Sequence, residues 1–546
     1  MSRGDHLKEL PLDMVGSSTF GRYPKISNSQ TWNMLISDEW LVPYAGYKNI
    51  LDLGVAGDGR GDFSSSRLSK IIAVVYNSVY AIDSNFSYQK IANIDTFSGD
   101  VFIDENDAQQ IAICDKKDIY IWDYQTSAFE KLALDFTPGY IAFQDGYFIS
   151  PVTGQPRWRL SVLNTMLAID SVSLVNGGTG YSANDILTVS QGLGGTIKVL
   201  TVSAGVIATF SVQSTGKGFS SGTHTVTGGT GNGAKFNVVV SNGFPAAPAN
   251  VGAFQTKPDN VVACVRIPGR GNHLLVMGKT VTEHWVNVGY YLFPYQRTSG
   301  FNIDYGCVNP ATIACSDNFI VWVGVNEKSG PVIMYTSGGD IQHISTDGID
   351  FKFAQLEHPE ESYGFLFKQD GHLIYQVTFS HASDNLSLAY DFNTGKFFNL
   401  CDENMDIHIA KRVVAFFNSY YFVSFNDYGF YELNSKYTTN NGVEAVRIRI
   451  PNTVRSHDGA PFVVNNMTFP IEQGITDDHQ RVDVSISTDG AVSFGNTVGF
   501  DLNGLGHHQN RLVVWVKCRC NEFTPQFRFW GNDRFLVKDG VVSIAQ

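Results

Sequence analysis

The sequence holds few of the features that mark common classes of protein. Its seven cysteines are scattered, their number is odd, and no Cys-x-x-Cys pair occurs. This usage predicts reduced, mostly buried thiols rather than a disulfide framework or a structural zinc site. Residues 1–14 are polar and of mixed charge, so we do not expect a signal peptide.

Long apolar runs and long amphipathic helical patterns are also missing. Because no run of about 18 apolar residues occurs, the sequence predicts no membrane-spanning helix. The chain contains 53 Gly, 38 Phe and 24 Tyr, which favours turn-rich β structure. With 43% hydrophobic and only 17% charged residues, we expect a folded protein. The cysteine usage and the lack of a signal peptide or a long apolar run predict that it is made in a reducing cytoplasm and stays soluble.

The sequence has fewer basic residues than acidic ones. The sequence has 39 Lys and Arg against 52 Asp and Glu, a formal net charge of −13. A protein that grips duplex DNA usually carries a basic surface, so the balance argues against such a role. An acidic surface that faces DNA would instead let it pass without adhering.

One short pattern recurs along the chain: an apolar strand, a polar turn and a second, aromatic-rich strand. Each copy predicts a β-hairpin, and a hairpin cannot bury its apolar face alone. Repeated copies therefore predict stacked sheets. The copies span residues 71–83, 110–123, 140–150, 273–285, 311–325, 363–379 and 412–426.

The spacing of these hairpins predicts the architecture. Their starts are 39, 30, 133, 38, 52 and 49 residues apart, and most intervals approach a four-stranded propeller blade of roughly 40 to 50 residues. The predicted fold class is all-β, an irregular β-propeller of about six or seven blades. The predicted parts are a leader that closes the ring (1–60), a first propeller part (61–167), an inserted small β-domain (168–242), a second propeller part (243–460) and a C-terminal β-sandwich-like region (461–546).

The long interval contains a segment of different composition, residues 168–242, which is rich in Gly, Thr, Ser and Val. Two similar halves open with Val175-Asn-Gly-Gly-Thr-Gly-Tyr-Ser and Gln213-Ser-Thr-Gly-Lys-Gly-Phe-Ser, which places Tyr181 and Phe219 38 residues apart. Without its roughly 75 residues, the interval has the length of one blade. We therefore predict a β-domain of two pseudo-repeats inserted into the propeller.

Two short motifs resemble catalytic or phosphate-binding sites. Gly218-Phe-Ser-Ser-Gly222 matches the nucleophile elbow, but a Thr/Val strand follows where a helix is required, so we interpret it as a turn. Met277-Gly-Lys-Thr280 resembles the end of a phosphate-binding loop, but His273 stands where the first glycine is needed. We assign no catalytic or cofactor-binding residue and predict that the chain is not an enzyme.

The residues most able to ligate a metal have no recognisable spacing. His507 and His508 lie near Cys518 and Cys520, but this order matches no structural zinc pattern. The two cysteines share one strand face, where burial is more common than ligation. We predict no metal site and no cofactor.

We assign no binding role to the acid-rich segments or to the Arg-Gly-Asp segments. The turns at 58–63 and 103–108 lack the arrangement of a calcium loop, so we interpret them as solvated turns. The Arg-Gly-Asp triplets at 3–5 and 60–62 occur where turn residues are common. A pair of carboxylates for glycoside cleavage remains an open alternative, since separate blades could supply one carboxylate each.

Several short sequence segments near both ends of the chain occur in a characteristic order. The first part contains Leu10-Pro-Leu, Trp32-Asn-Met-Leu and Val42-Pro-Tyr-Ala-Gly-Tyr, and the last contains Ser485-Ile-Ser-Thr-Asp-Gly-Ala-Val-Ser-Phe-Gly and then Gln509-Asn-Arg-Leu. In these segments the chain resembles the packaged-DNA stabilisation proteins, or tail hub (nozzle) proteins, of short-tailed bacteriophages. The insertion at 168–242 is similar to small β-modules of phage tail proteins and is not part of that family's core.

The resemblance implies a virion protein of the tail, assembled in the host cytoplasm. It implies a six-copy ring below the portal and adaptor that retains packaged DNA, lets it exit at ejection and carries fibre, spike or needle proteins. Genomic DNA would pass through the lumen without sequence-specific binding, repelled by an acidic wall. The alternative is a glycan- or receptor-binding propeller, including a carbohydrate-active one, with aromatics and carboxylates converging on one mouth.

Overall fold

The computed structural model describes residues 8–21, 29–54, 56–338, 341–456, 459–474, 480–502, 504–507 and 510–545. Regular structure in these residues is almost entirely β. Apart from two single-turn 3-10 helices, Pro248–Asn250 and Pro310–Thr312, the helix found there is Asp347–Phe353. It begins after Thr346, whose hydroxyl accepts a hydrogen bond from the Ile349 N–H. No helix in the described part of the chain is long and apolar enough to cross a membrane.

Seven four-stranded antiparallel blades can be traced in the described residues, and we number them in chain order. Blades 1 and 2 comprise Gly59–Ser65, Lys70–Val75, Ser78–Ile82 and Tyr88–Asn93, then Phe102–Glu105, Gln110–Cys114, Ile119–Asp123 and Ala128–Lys131. Blades 3 and 4 comprise Ala142–Gln144, Tyr147–Pro151, Arg157–Leu160 and Val251–Ala253, then Val261–Arg266, His273–Gly278, Thr282–Asn287 and Tyr295–Ile303. Blade 5 comprises Ala314–Cys315, Ile320–Gly324, Val332–Thr336 and Ile341–His343. Blades 6 and 7 comprise Ser362–Gln369, His372–Phe379, Leu386–Asp391 and Lys396–Leu400, then Val414–Phe416, Ser419–Val423, Gly429–Asn434 and Gly46–Asp52.

The middle strands of a blade are buried on both faces because a neighbouring blade packs on each side. In blade 1, Ile72 and Val74 face blade 2, whereas Ile71 and Ala73 face blade 7. Alternation along the strand therefore directs successive apolar side chains into two different interfaces. This is why these strands appear in the sequence as nearly continuous apolar runs.

The ring is closed by a strand from the N-terminal part of the chain. Gly46–Asp52 pairs antiparallel with Gly429–Asn434 and becomes the fourth strand of blade 7. Hydrophobic clusters fill every interface between successive blades, including the one between blades 7 and 1. Closure removes a free sheet edge that would otherwise be available to other chains.

The insertion leaves the propeller between the third and fourth strands of blade 3. It forms a six-stranded sheet with a core of its own, which includes Tyr181 and Phe219. The sheet order is symmetric about its two central strands, and equivalent strands of the two halves occupy equivalent places. In sheet order, the strands are Ile169–Thr179, Asn232–Val240, Gly222–Thr227, Ile186–Val189, Leu193–Ser203 and Val206–Lys217.

The C-terminal region is a sandwich of two sheets around a common core that includes Phe469 and Phe527, whose rings lie 5.2 Å apart. One sheet has the order Lys8–Leu12, Gly540–Ala545, Phe462–Phe469 and Leu512–Cys520. The other contains Arg447–Ile450, Glu522–Trp530, Arg481–Ser487 and Val498–Asp501, with Val454–Arg455 at its side. The predicted all-β propeller with an inserted β-domain and a C-terminal β-sandwich-like region is confirmed.

Short segments connect the sandwich to the propeller. Gln30–Trp32 pairs with Lys396–Leu400 of blade 6 on one side and with Arg447–Ile450 of the sandwich on the other, so the two sheets are continuous. Two short hairpins belong to the same parts of the chain. In one, Met34–Ser37 pairs with Trp40–Pro43, and in the other, Thr439–Asn440 pairs with Val443–Glu444.

Candidate functional site

The axis of the propeller encloses a cavity of about 360 Å³. Its wall is formed by the first strand of each blade or by residues next to that strand. Because each blade contributes to this wall, residues far apart in the chain meet at the axis. The charged residues of the wall are Asp62 of blade 1, Asp104 of blade 2, Arg266 of blade 4 and Arg412, which precedes blade 7.

The Asp62 carboxylate is buried in this wall with few partners. Its Oδ2 accepts a long hydrogen bond of 3.4 Å from the Val423 N–H, and among the described residues its Oδ1 has no hydrogen-bond partner. Burial raises the pKa of Asp62 to about 7, and the charge of Arg412 opposes that shift only in part. Asp62 therefore takes up a proton near neutral pH.

Asp104 is held more firmly. Its Oδ1 accepts from the Glu105 N–H at 2.9 Å, and its Oδ2 accepts from the Phe143 N–H at 2.7 Å. Burial raises the pKa of Asp104, while the positive charge of Arg266 opposes this. Since Phe143 belongs to blade 3, this carboxylate joins the innermost strands of two blades.

A second, much smaller space lies near the starts of the innermost strands. It has a volume of about 10 Å³ and lies next to Arg60 and Tyr363, which is room for about one water. Asp100 forms ion pairs with Lys116 at 3.0 Å and with Lys411 at 3.2 Å. Burial alone would raise the pKa of Asp100, but the two ammonium groups outweigh it and hold the pKa below its ordinary value.

These dimensions limit what the axis can accommodate. A cavity of about 360 Å³ lies within the range of small-molecule pockets, about 300 to 1,000 Å³. A B-DNA duplex, whose major groove alone is about 12 Å wide, does not fit. The axis brings together two carboxylates from separate blades, Asp62 and Asp104, each near a guanidinium group.

The segment Gly218-Phe-Ser-Ser-Gly222 lies where the insertion contacts the propeller. The Phe219 side chain is buried in the insertion, and its N–H donates to the Leu167 carbonyl at 3.0 Å. The Ser221 N–H donates to the Glu130 carboxylate of blade 2. A strand, Gly222–Thr227, follows immediately, as expected for a turn.

The segment Met277-Gly-Lys-Thr280 lies at the turn between two strands of blade 4. The Asp259 carboxylate accepts hydrogen bonds from the N–H groups of Thr280 at 2.6 Å and Val281 at 3.1 Å. An internal carboxylate therefore takes the donors that a phosphate-binding loop would offer to its ligand.

The cysteines near the C-terminus lie on the strand Leu512–Cys520. Cys520 is buried and Cys518 is half-buried. Burial, with a smaller effect of Cys518, raises the pKa of the Cys520 thiol to about 11, so it stays protonated at neutral pH. The His507 N–H donates to the Gly504 carbonyl at 3.3 Å, and His508 lies outside the described residues.

The acid-rich segment at 103–108 makes internal contacts. The Glu105 carboxylate accepts from the Ser65 hydroxyl at 2.8 Å, which links blades 1 and 2. Asp107 forms an ion pair with Arg67. These acidic side chains are engaged with protein groups rather than arranged around a cation site.

The Arg-Gly-Asp triplet at 60–62 is part of the innermost strand of blade 1. The Arg60 side chain is buried, and the triplet ends at Asp62 of the axial wall. The guanidinium donates hydrogen bonds to the backbone carbonyl groups of Tyr76, Thr96, Ser98 and Gly99. The segment 58–63 is therefore not an exposed turn. The triplet at 3–5 lies outside the described residues.

Sequence reasoning placed Asp62 and Asp104 in solvated turns, which is wrong, and gave Arg266 and Arg412 no role. The first strand of each blade lines the axis, so a polar residue in or just before that strand was the signal for these residues. The sequence pattern does not identify the first strand in every blade. Sequence reasoning also missed a cluster of His358, Glu361 and His381. The signal for that cluster was the predicted hairpin at 363–379, whose open end must bring residues 361 and 381 together.

Comparison with protein families gives one match. Residues 233–396 match the phage stabilisation family, described as the β-propeller of bacteriophage P22 Gp10. The predicted resemblance to phage stabilisation proteins is confirmed. The matched segment begins in the last strand of the insertion and covers blades 4 and 5 and most of blade 6. No curated protein matches the chain.

Several solved propeller structures are similar at low identity. A streptogramin B lyase is 11% identical with a TM-score of 0.38, over 71% of this chain and 98% of its own. A virginiamycin B lyase from Staphylococcus aureus with quinupristin is 10% identical with a TM-score of 0.40, over 71% and 99%. An ancestral GH74 enzyme is 11% identical with a TM-score of 0.34, over 86% and 60%.

Proposed function

We propose that this chain is a structural protein of a phage tail, a hub or nozzle ring that extends the tail tube below the portal and adaptor. The observation that carries the proposal is the family match over residues 233–396. The role is structural rather than enzymatic, and the protein is assembled in the host cytoplasm into the virion. It retains packaged DNA and lets it exit at ejection.

The dimensions of the propeller support a ring of several copies. Because the axial cavity of one chain is too small to hold a duplex, DNA has to pass through a lumen that lies between copies. A closed homo-oligomer of six copies would supply such a lumen. The chain is then one wall segment of the tube.

The net charge of −13 supports passage without adhesion. An acidic wall repels the phosphate backbone and lowers friction during ejection. Replacing acidic residues that face the lumen by their amides would then slow ejection or leave DNA bound. Unchanged ejection by such variants would count against an acidic lumen.

Assembly is the direct test of the proposal. We expect the purified protein to be a monomer in solution and to form a six-copy ring when mixed with the adaptor ring of the same phage. Mass photometry of the protein alone, of the adaptor alone and of the mixture measures this. A stable monomer that ignores the adaptor and binds glycans would overturn the proposal.

The insertion is a natural attachment surface for a fibre, spike or needle protein. It has its own core, and its ends are adjacent, because the Ser241 N–H donates to the Ala168 carbonyl at 2.9 Å. A surface domain inserted in this way varies without disturbing the ring.

Deletion of the insertion tests this attachment. We expect a variant in which a short glycine linker replaces residues 169–240 to fold and to form the ring on the adaptor, while binding of one tail partner is lost. Binding assays with the fibre, spike and needle proteins, each against the full-length ring, measure the effect. Retention of all three partners would contradict an attachment role.

The alternative, a glycan- or receptor-binding propeller, draws support from the axial cavity. Asp62 and Asp104 line it together with Tyr140, which combines carboxylates and an aromatic ring. Glycan-array binding by the wild type that is lost on Asp104→Asn would favour this second candidate.

A further inference from the structure

A cluster of two histidines and one glutamate lies at the open end of the first hairpin of blade 6. One ring nitrogen of His358, one of His381 and a carboxylate oxygen of Glu361 all lie within 4.8 Å of one another. The two imidazole rings have centroids 3.9 Å apart at an interplanar angle of 45°. Two imidazoles and a carboxylate are ligands typical of zinc and its neighbours.

Nδ1 of each ring already has a partner. Nδ1 of His358 lies 3.2 Å from the Glu360 carboxylate, and Nδ1 of His381 lies 2.8 Å from the Ser383 hydroxyl. Metal-bound histidines commonly donate their other N–H to a carboxylate or hydroxyl, which fixes the tautomer. For His358, protonation at Nδ1 leaves the Nε2 lone pair available for a cation. Nδ1 of His381 also lies 3.3 Å from the Ser383 N–H, which donates to it, so cation binding at Nε2 requires that this nitrogen donates to the Ser383 hydroxyl instead.

The backbone around the first histidine is held by a carboxylate from the other loop. Asp384 accepts hydrogen bonds from the N–H groups of Glu357 at 2.8 Å and His358 at 2.9 Å. The loop that precedes the hairpin and the loop that follows it are thus tied together. This contact places His358 without using any of the ligating atoms.

The hairpin itself positions the other two residues. The register pairs Ser362 with Phe379, so the residues next to them leave the sheet side by side. The Ser380 N–H donates to the Glu361 carbonyl at 2.9 Å, and the N–H groups of Asp384 and Asn385 donate to the His381 carbonyl. Both loops are therefore ordered before a ligand arrives.

We propose that His358, Glu361 and His381 bind a divalent transition-metal cation of the zinc class. Tetrahedral ligands at about 2.0 to 2.2 Å from zinc lie about 3.4 Å apart, so the side chains need to close by little more than 1 Å. Three protein ligands leave one coordination position for water or another ligand. The Glu361 side chain is exposed, which gives the open position access to solvent. Leu356, Ser383 and Asp384 of the same loops help to line a cavity of about 540 Å³.

The ligand set selects against calcium and magnesium, which prefer sites made entirely of oxygen. The site does not depend on the proposed tail function. An isolated chain binds the cation as well as an assembled ring does.

The test uses the tag-free full-length protein and cobalt and zinc salts. We expect about one equivalent of Co²⁺ to bind with a tetrahedral visible spectrum, to be displaced by Zn²⁺, and to remain in excess Mg²⁺. His381→Ala and Glu361→Gln should each weaken binding at least about a hundredfold in titration calorimetry. Glu360→Gln should weaken it about 10- to 100-fold, because this carboxylate orients His358.

A matched control is His343→Ala, which removes a partly exposed histidine that pairs with a carboxylate, Asp350, outside the cluster. It should bind Co²⁺ as the wild type does. Melting temperatures without metal should be equal for the wild type and all variants, since the ligands lie in surface loops. Equal affinity of the wild type and His381→Ala, or an octahedral spectrum, would overturn the proposal.

Discussion

Replacing Arg449 by alanine is expected to detach the leader from the sandwich. The buried guanidinium donates to the carbonyl groups of Asp13 at 2.7 Å and Met14 at 2.9 Å, and to the hydroxyls of Ser29 at 2.7 Å and Thr31 at 3.0 Å. Loss of these donors leaves several buried acceptors unpaired, so the free energy of unfolding should fall by roughly 4 kcal/mol or more. Denaturant unfolding and limited proteolysis of residues 8–31 measure the effect.

Burial disfavours the charged form of Arg449. Burial lowers its pKa to about 10, and the carboxylates of Asp13 and Asp539 oppose that shift only in part. Arg449→Lys keeps the charge but not the planar set of donors, so it should lose most of the stability as well. The matched control is Arg519→Ala on an exposed position of the sandwich, which should change stability by less than about 0.5 kcal/mol. A leader that resists protease in Arg449→Ala would contradict this account.

Replacing Asp62 by asparagine is expected to stabilise the protein at neutral and alkaline pH. Because burial raises the pKa of Asp62 from 3.8 to about 7, the folded state favours the protonated form. Its contribution to stability is fully present below about pH 4 and is lost as the pH rises through about 7. A difference of about three pKa units corresponds to at most about 4 kcal/mol, which the variant should recover at pH 8.

Melting temperatures between pH 4 and pH 8 test this prediction. Stability of the wild type should decline across the interval relative to Asp62→Asn, and the two curves should meet near pH 4. The matched control is Asp170→Asn, which replaces an exposed carboxylate of the insertion and should follow the wild type. Parallel curves for Asp62→Asn and the wild type would refute the assignment of a raised pKa to the buried Asp62 carboxylate.

The predicted hairpins were present, but they occupy different places in their blades. The hairpins that start at 71 and 110 form the second and third strands of their blades, whereas the hairpin that starts at 140 forms the first and second strands of its blade. This shift explains the short interval of 30 residues. Local apolar patterning identifies a hairpin because both its strands are buried, but it does not give the hairpin's place in the blade.

The sequence predicts the pseudo-repeat of the insertion in more detail than it predicts the blades. The equivalent aromatic residues Tyr181 and Phe219 are both buried in one core. The two halves form a single symmetric sheet rather than two separate units, because the first strand of each half pairs with the last strand of the other half. The repeat was visible in the sequence, whereas the pairing between halves was not.

The sequence by itself determined the β class, the recurring hairpins, the insertion and the family resemblance. These depend on composition, local alternation and spacing, which are legible one segment at a time. Only the tertiary structure decided which strand of the predicted leader closes the ring, Gly46–Asp52, that Asp62 and Arg412 meet at the axis, and that His358 meets His381. Such contacts join residues distant in the chain, and they depend on strand register and blade order, which local patterns do not specify.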